Sequence, residues 1–375
     1  MRLQEFLFSK PLFYKKFDPT RMPRAYELIK PHLKIPPIIH IVGTNGKGTT
    51  GRFLAGMLKE AGFKVGHYTS PHILKFRERI WIDGEDANWH YLEQMHQRLQ
   101  RLLPLKVLQE LSYFEYTTFL AILAFEGLDF VVLEAGLGGE YDATSVFENV
   151  LTLVTPIDFD HKEFLGKSIE EIATTKLKAV QKEALLASQK HPEVEKVAKK
   201  LGIAYEIINV PKEYEKLVAS EGLAPFFAVN LALAEAGAKK LGIEVNIKKA
   251  LEYRLRGRAQ RVGNVILDVG HNPLAARALE KIIDKETILV YNTYEDKDYR
   301  AILEIFKPKI KEVQILPVEN ERIVERDSLE KTLQDLQIPC SEFSAIKSDQ
   351  NYLVFGSFSV VEEFLRRCGQ SFMSI

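Results

Sequence analysis

Residues 38–50, IIHIVGTNGKGTT, run from an apolar stretch straight into glycines, a lysine and threonines. That order suits phosphate chemistry. Glycines let backbone N–H groups close on oxygen atoms, and a helix beginning at the loop adds positive potential. Lys47 would reach terminal phosphates, and Thr49 or Thr50 would offer a hydroxyl to magnesium. The general phosphate loop reads G-x-x-x-x-G-K-[ST]. Here Gly43, Thr44, Asn45, Gly46, Lys47, Gly48, Thr49 and Thr50 form a shorter loop, with an extra glycine after the lysine.

A second candidate is Glu134 in VVLEAGLGGEYDATS (131–145), a carboxylate at the end of a buried-strand pattern with glycines after it. In open α/β sheets ligands bind outside the carboxyl ends of the strands, so this position suits a metal ligand or a group that orients water. His161 lies just past another such run, VLTLVTPI (150–157), a place where a lone histidine is more often structural or at the surface than a metal ligand.

The elements that must hold these groups follow from periodicity. IIHIV, FVVLEA, VLTLVTPI and EALLAS read as buried strands; TGRFLAGMLKEAG and SIEEIATTKLKAV read as helices. Such βα alternation predicts an α/β fold with a mostly parallel sheet. Helical periodicity occupies 224–255. After the arginine-rich RLRGRAQRVGN a new alternation begins: VILDVG, AARALEKIID, TILVYN, YRAILEIF, EVQILPV and YLVFGS. The expectation is a loop-bearing domain over 1–255 and a smaller, Rossmann-like α/β domain over 256–375. At 375 residues two domains are also the prior from length alone.

Composition excludes several function classes. Lysine plus arginine equals aspartate plus glutamate at 51 each, so no global charge draws the chain to nucleic acid or an anionic membrane. Cys340 and Cys368 form no CxxC motif, which fits a reducing cytoplasm and disfavours structural zinc. MRLQEFLFSKPLFYKKFD lacks a continuous apolar leader, and FLAILAF is far short of a bilayer span. A cytoplasmic monomer acting on small molecules is expected.

G-T-N-G-K-G-T closely resembles the ATP loop of the Mur ligase superfamily, and within it the folylpolyglutamate synthase and dihydrofolate synthase family. TSPHILKFRERI (69–80) resembles its S-P-H-L…E-R-I segment, and VVLEAGLGGEYDATS its E-V-G-L-G-G-R-L-D-A-T-N, with Glu140 in place of arginine and Ser145 in place of asparagine. TPIDFDHKEFLGKSIEEIATTKLKAV (155–180), LRGRAQ (255–260) and ILDVGHNPLAA (266–276) resemble further family segments. The resemblance runs from about residue 19 to GSFSVVEEF.

It implies a two-domain ligase that joins an amino acid to a carboxylate at the expense of ATP. Catalytic roles fall on Lys47, His161 and Lys176, the last a lysine the family can carboxylate on its side-chain nitrogen. Ser70, Glu134 and His161 would hold two magnesium ions, and Asn230, Arg258, Asp268 and His271 would contact the nucleotide. FEYTT (114–118) resembles the segment near the family's pterin site. Phe114 would stack on a flat ring, with Glu115 and Asp142 as further substrate contacts. The implied substrates are dihydropteroate or a reduced folate, together with L-glutamate. Another Mur-type ligase remains an alternative, as does a non-catalytic ATP-binding homologue. The early position of the loop leaves little room for the extra N-terminal domain usual in cell-wall ligases, and no N-K-x-D segment of a GTPase is evident.

Overall fold

The computed structural model describes residues 1–11, 18–160 and 162–369. Its contacts divide the chain into two units: Met1–Tyr214 with Ala228–Arg254, and Glu215–Phe227 with Leu255–Ile375.

The first unit is built on eight strands: β1 (Ile38–Val42), β2 (Val65–Tyr68), β3 (Ile80–Ile82), β4 (Glu85–Asp86), β5 (Phe130–Glu134), β6 (Leu151–Val154), β7 (Glu183–Ala187) and β8 (Ala204–Ile208). Their order is β4-β3-β2-β5-β1-β6-β7-β8, with β3 and β4 antiparallel and the others parallel. Strand β1 is buried along its whole length because both faces are covered. On one face Ile38 joins a core with residues of helices Arg21–Ile29 and Tyr113–Ala124. On the other, Ile41 meets Gly51 of helix Lys47–Glu60.

His40 is the polar exception in β1. Burial pulls its imidazole down to about 4, so it is neutral, and Nε2 lies 2.7 Å from Thr144 Oγ1.

The chain leaves β1 towards β2 on one side, while β6 and β7 extend the sheet on the other. A reversal of this kind opens a crevice at the carboxyl ends of the central strands. Ile41 pairs with Glu134, and Val42 with Val154, so Gly43, Ala135 and Thr155 leave the sheet at one level.

The second unit carries β9 (Gln260–Val262), β10 (Val265–Leu267), β11 (Thr287–Tyr291), β12 (Ile310–Ile315), β13 (Cys340–Glu342) and β14 (Tyr352–Phe355). The order is β13-β12-β11-β14-β10-β9, parallel except for β9. Both units are therefore α/β with mostly parallel sheets, as the alternation predicts. The pattern did not give β2, where Gly66 and His67 interrupt the apolar run. A side chain at 66 would put its Cβ 2.4 Å from the Phe125 ring. It also missed the short antiparallel strands β3, β4 and β9, and the parallel β8 and β13, where no residue is fully buried. No described helix is long and apolar enough to cross a membrane.

Candidate active site

The loop 43–50 leaves β1 through Gly43, with φ +137°, and enters helix Lys47–Glu60 through Gly46, a left-handed N-cap with φ +89°. Both positions need glycine for space as well as for φ. A Cβ at 43 would lie 2.0 Å from Thr155 Oγ1 and 2.8 Å from the Thr155 carbonyl; one at 46 would lie 2.4 Å from Asn230 Oδ1. Lys47 Nζ donates to the carbonyls of Gly43 and Thr44, at 3.3 and 3.2 Å, and so lies over the loop's mouth.

Two loop residues have other duties. The Thr44 N–H donates to the Pro156 carbonyl, and its hydroxyl is engaged by the backbone of Asp158, so Thr44 anchors the loop. Thr50 Oγ1 donates to Asn230 Oδ1 at 3.1 Å, and Asn230 is 3% exposed. Asn230 therefore braces the loop from behind. Of the two threonine hydroxyls considered for metal, Thr50's is tied to Asn230.

Glu134 ends β5 beside this loop, 4% exposed. Its carboxylate accepts from Thr69 Oγ1 and, at 3.1 Å, from the Ser70 N–H. Ser70 and Glu134 thus arrive together from adjacent strands. Oxygen donors of this kind suit a hard divalent cation that keeps most of its shell as water and phosphate. His161 lies outside the described residues. Among the described residues, no three His, Cys, Asp or Glu side chains converge as a metal cluster.

Lys176, 2% exposed, reaches into the same edge from helix Ile169–Leu177. Its Nζ donates to the carbonyls of Gly43 at 2.8 Å and Leu137 at 2.7 Å. Burial, reinforced by the Lys47 charge and opposed by Asp160 and Asp142, lowers this amine to about 7. The neutral form of this amine is therefore far more accessible near neutral pH than that of a solvated lysine.

Phe114 stacks on Tyr68, with centroids 5.8 Å apart, and lies against Gly136. Asp142 accepts from the N–H groups of Gly138 and Thr144 and from Thr144 Oγ1, which fixes the loop after β5. It also lines a 330 Å³ cleft with Met22, Pro23, Tyr26, Lys30 and Glu140, among others. Glu140, where the family pattern has arginine, pairs with Lys178 at 2.7 Å.

Glu115 is held differently from the expectation of a substrate contact. Its carboxylate takes Arg21 Nε at 2.9 Å and the Ser112 N–H at 2.8 Å, a capping box fused to a buried ion pair. Glu115→Gln leaves a buried guanidinium without its anion and is expected to cost about 3 kcal/mol. The measurement is a fall in the urea midpoint, recovered in large part by the apolar pair R21M/E115L.

In the second unit Asp268, Arg258 and His271 stand together. Asp268 accepts from the N–H groups of Ala259 and Gly270, both at 2.7 Å, and burial raises its carboxyl while Arg258 opposes. The cap of helix Pro273–Glu280 is Asn272, so Asp268 shapes the turn before the helix. His271 Nδ1 lies 3.2 Å from the Val269 carbonyl, and the Arg258 guanidinium lies 5.0 Å from the centre of the Phe358 ring. Sequence reasoning missed Arg21, Asp158 and His191. Their partners lie far away in the chain, and no local spacing marks them.

No protein-family model matches the chain. A dihydrofolate synthase/folylpolyglutamate synthase from Haemophilus influenzae is 31% identical over 393 aligned positions, covering 88% of each chain. The crystal structure of Helicobacter pylori folylpolyglutamate synthetase is similar with a TM-score of 0.79 and 38% identity over 97% of both chains. Escherichia coli FolC in complex with DHPP and ADP matches with a TM-score of 0.79 and 25% identity, over 98% of this chain and 97% of that one. With its phosphate loop, strand-end carboxylate and buried lysine on one sheet edge, and this identity along nearly its whole length, the chain belongs to the dihydrofolate synthase/folylpolyglutamate synthase family of ATP-dependent ligases.

Proposed function

We propose that this chain joins L-glutamate to the carboxylate of dihydropteroate or of a reduced folate, using ATP. The observation that carries the reading is the gathering of Lys47, Ser70, Glu134 and Lys176 around the Gly43 loop at one sheet edge.

A carboxylate resists amines because oxide is too poor a leaving group. Its oxygen therefore attacks the γ-phosphorus of ATP, giving an acyl phosphate and ADP. The glutamate amine then adds to the acyl carbon, loses its proton, and phosphate leaves with the former carboxylate oxygen. Such transfer needs positioning and charge stabilisation more than a protein nucleophile. Lys47 neutralises the terminal phosphates, and the loop and helix N-terminus hold the others. Glu134 and Ser70 are the described residues that would hold magnesium, with His161 as a further ligand and Lys176 beside a second ion. A magnesium ion held there would supply positive charge to offset that of the phosphates. Arg258, Asp268 and His271 are the second unit's candidates for the nucleotide.

The 330 Å³ cleft, with Asp142 on its wall, is of a size for a flat heterocycle, and its carboxylates suit the ring's N–H donors. Phosphate release assayed with dihydropteroate and with tetrahydrofolate, each with and without glutamate, tests the reading. The expected outcome is one phosphate per amide formed, dependent on both substrates. Absence of glutamate-dependent release with every pterin would reject it.

A further inference from the structure

The segment after β6 is gripped from two sides. On one side, the Asp158 N–H donates to Thr44 Oγ1 at 3.1 Å, and that hydroxyl donates back to the Asp158 carbonyl at 3.0 Å. The Thr44 N–H meanwhile donates to the Pro156 carbonyl at 3.1 Å. The second residue of the phosphate loop is thus hung on residues 156–158.

On the other side, the turn after β7 holds the same segment with side chains. Gln189 Oε1 accepts the Ile157 N–H at 2.9 Å, and Gln189 Nε2 donates to the Ala187 carbonyl at 2.7 Å. His191 Nε2 lies 3.1 Å from Asp158 Oδ1, which also accepts the Phe159 N–H at 2.8 Å. The Asp158 side chain is 13% exposed and that of His191 19%, while Lys190 stands 3.7 Å away, largely in solvent. Through the Phe159 N–H the carboxylate fixes the 158–159 peptide, whose carbonyl accepts from Thr44.

We infer that Asp158 and His191 are positioning residues for nucleotide binding: the imidazole pins the carboxylate, and Asp158 transmits that position through its peptide groups to the phosphate loop. Neither side chain contacts the phosphates in this scheme. The inference rests on the proposed use of ATP at this loop. It adds that the loop's shape is set by a pair separated by 33 positions, outside the loop and outside the metal-binding groups. A loop displaced by a fraction of an ångström loses nucleotide affinity first, because several N–H groups must converge on the same oxygens.

The test is titration of the full chain with ATP and magnesium by calorimetry, alongside steady-state kinetics. Asp158→Ala is expected to weaken ATP binding and raise KM for ATP about tenfold, with kcat changed less than threefold and KM for the pterin substrate unmoved. Asp158→Asn keeps an acceptor for both partners and should restore most of the affinity. His191→Ala should weaken binding by a factor similar to D158A, and the double variant D158A/H191A should be no weaker than D158A, because both break one chain of contacts. Unchanged ATP affinity in a folded D158A protein would overturn the inference. So would multiplying effects of the two substitutions, or an equal rise in pterin KM, which would mark general loosening. Failure of the wild-type chain to bind ATP is a separate result: it removes the functional reading and this inference with it.

Discussion

Lys47→Ala is expected to abolish glutamate-dependent phosphate release, with kcat/KM falling on the order of 10³-fold while the protein stays folded. The size follows from the proposed role: a cation that would offset the charge developing on the transferring phosphoryl group is lost. Retention of the fold follows from the contacts. Among the described residues Lys47 Nζ makes only long hydrogen bonds to loop carbonyls, its residue is part-exposed, and position 47 opens a helix that alanine favours. Circular dichroism and urea unfolding should match the wild type. Lys47→Arg should recover little, because a planar fork cannot replace a point charge in a loop this tight. Normal turnover by the alanine variant would refute the phosphate role of the loop.

The second large effect concerns Lys176. Lys176→Met leaves the carbonyls of Gly43 and Leu137 without this donor and removes the amine from beside the proposed metal site, so activity should fall about 100-fold. With the amine lowered to about 7 by burial, its neutral form is accessible near neutral pH and would attack carbon dioxide, forming an N–C bond and releasing a proton. Wild-type activity should drop when bicarbonate is stripped from the buffer and return when it is restored, with no response in K176M. Indifference of the wild type to bicarbonate would rule out carboxylation as a requirement.

The same amine carries a stability signature. Its folded value lies below that of the unfolded chain, so between pH 7 and about 10 the unfolded state binds the extra proton and stability rises with pH. Below pH 7 the unfavourable contribution is constant. K176M should lose this slope in urea midpoints measured across that window.

Legibility from sequence differed from residue to residue. The loop was readable because its chemistry is local: a strand, two glycines with positive φ and a helix start lie within a dozen residues. The place of Glu134 was readable because it closes a buried-strand run, and ligands of open α/β sheets lie beyond the carboxyl ends of the strands. Glu115 was readable as a position but not as a role, since the FEYTT segment gives no sign of Arg21, 94 residues earlier. Asn230 has a comparable history. Its side chain lies against Gly46 and Thr50, a contact across 180 positions.

The sequence by itself determined the α/β class and the phosphate loop, because each depends on periodicity or spacing along a short run, and the order of several motifs along the chain carried the resemblance to the family. Only the tertiary structure decided that Lys176 is a buried amine near neutrality, that Thr44 anchors the loop, and that Asp158 and His191 stand behind it. Those are properties of burial and of partners from distant segments. They exist once parallel strands of different sequence origin end at the same edge, and no local pattern encodes them.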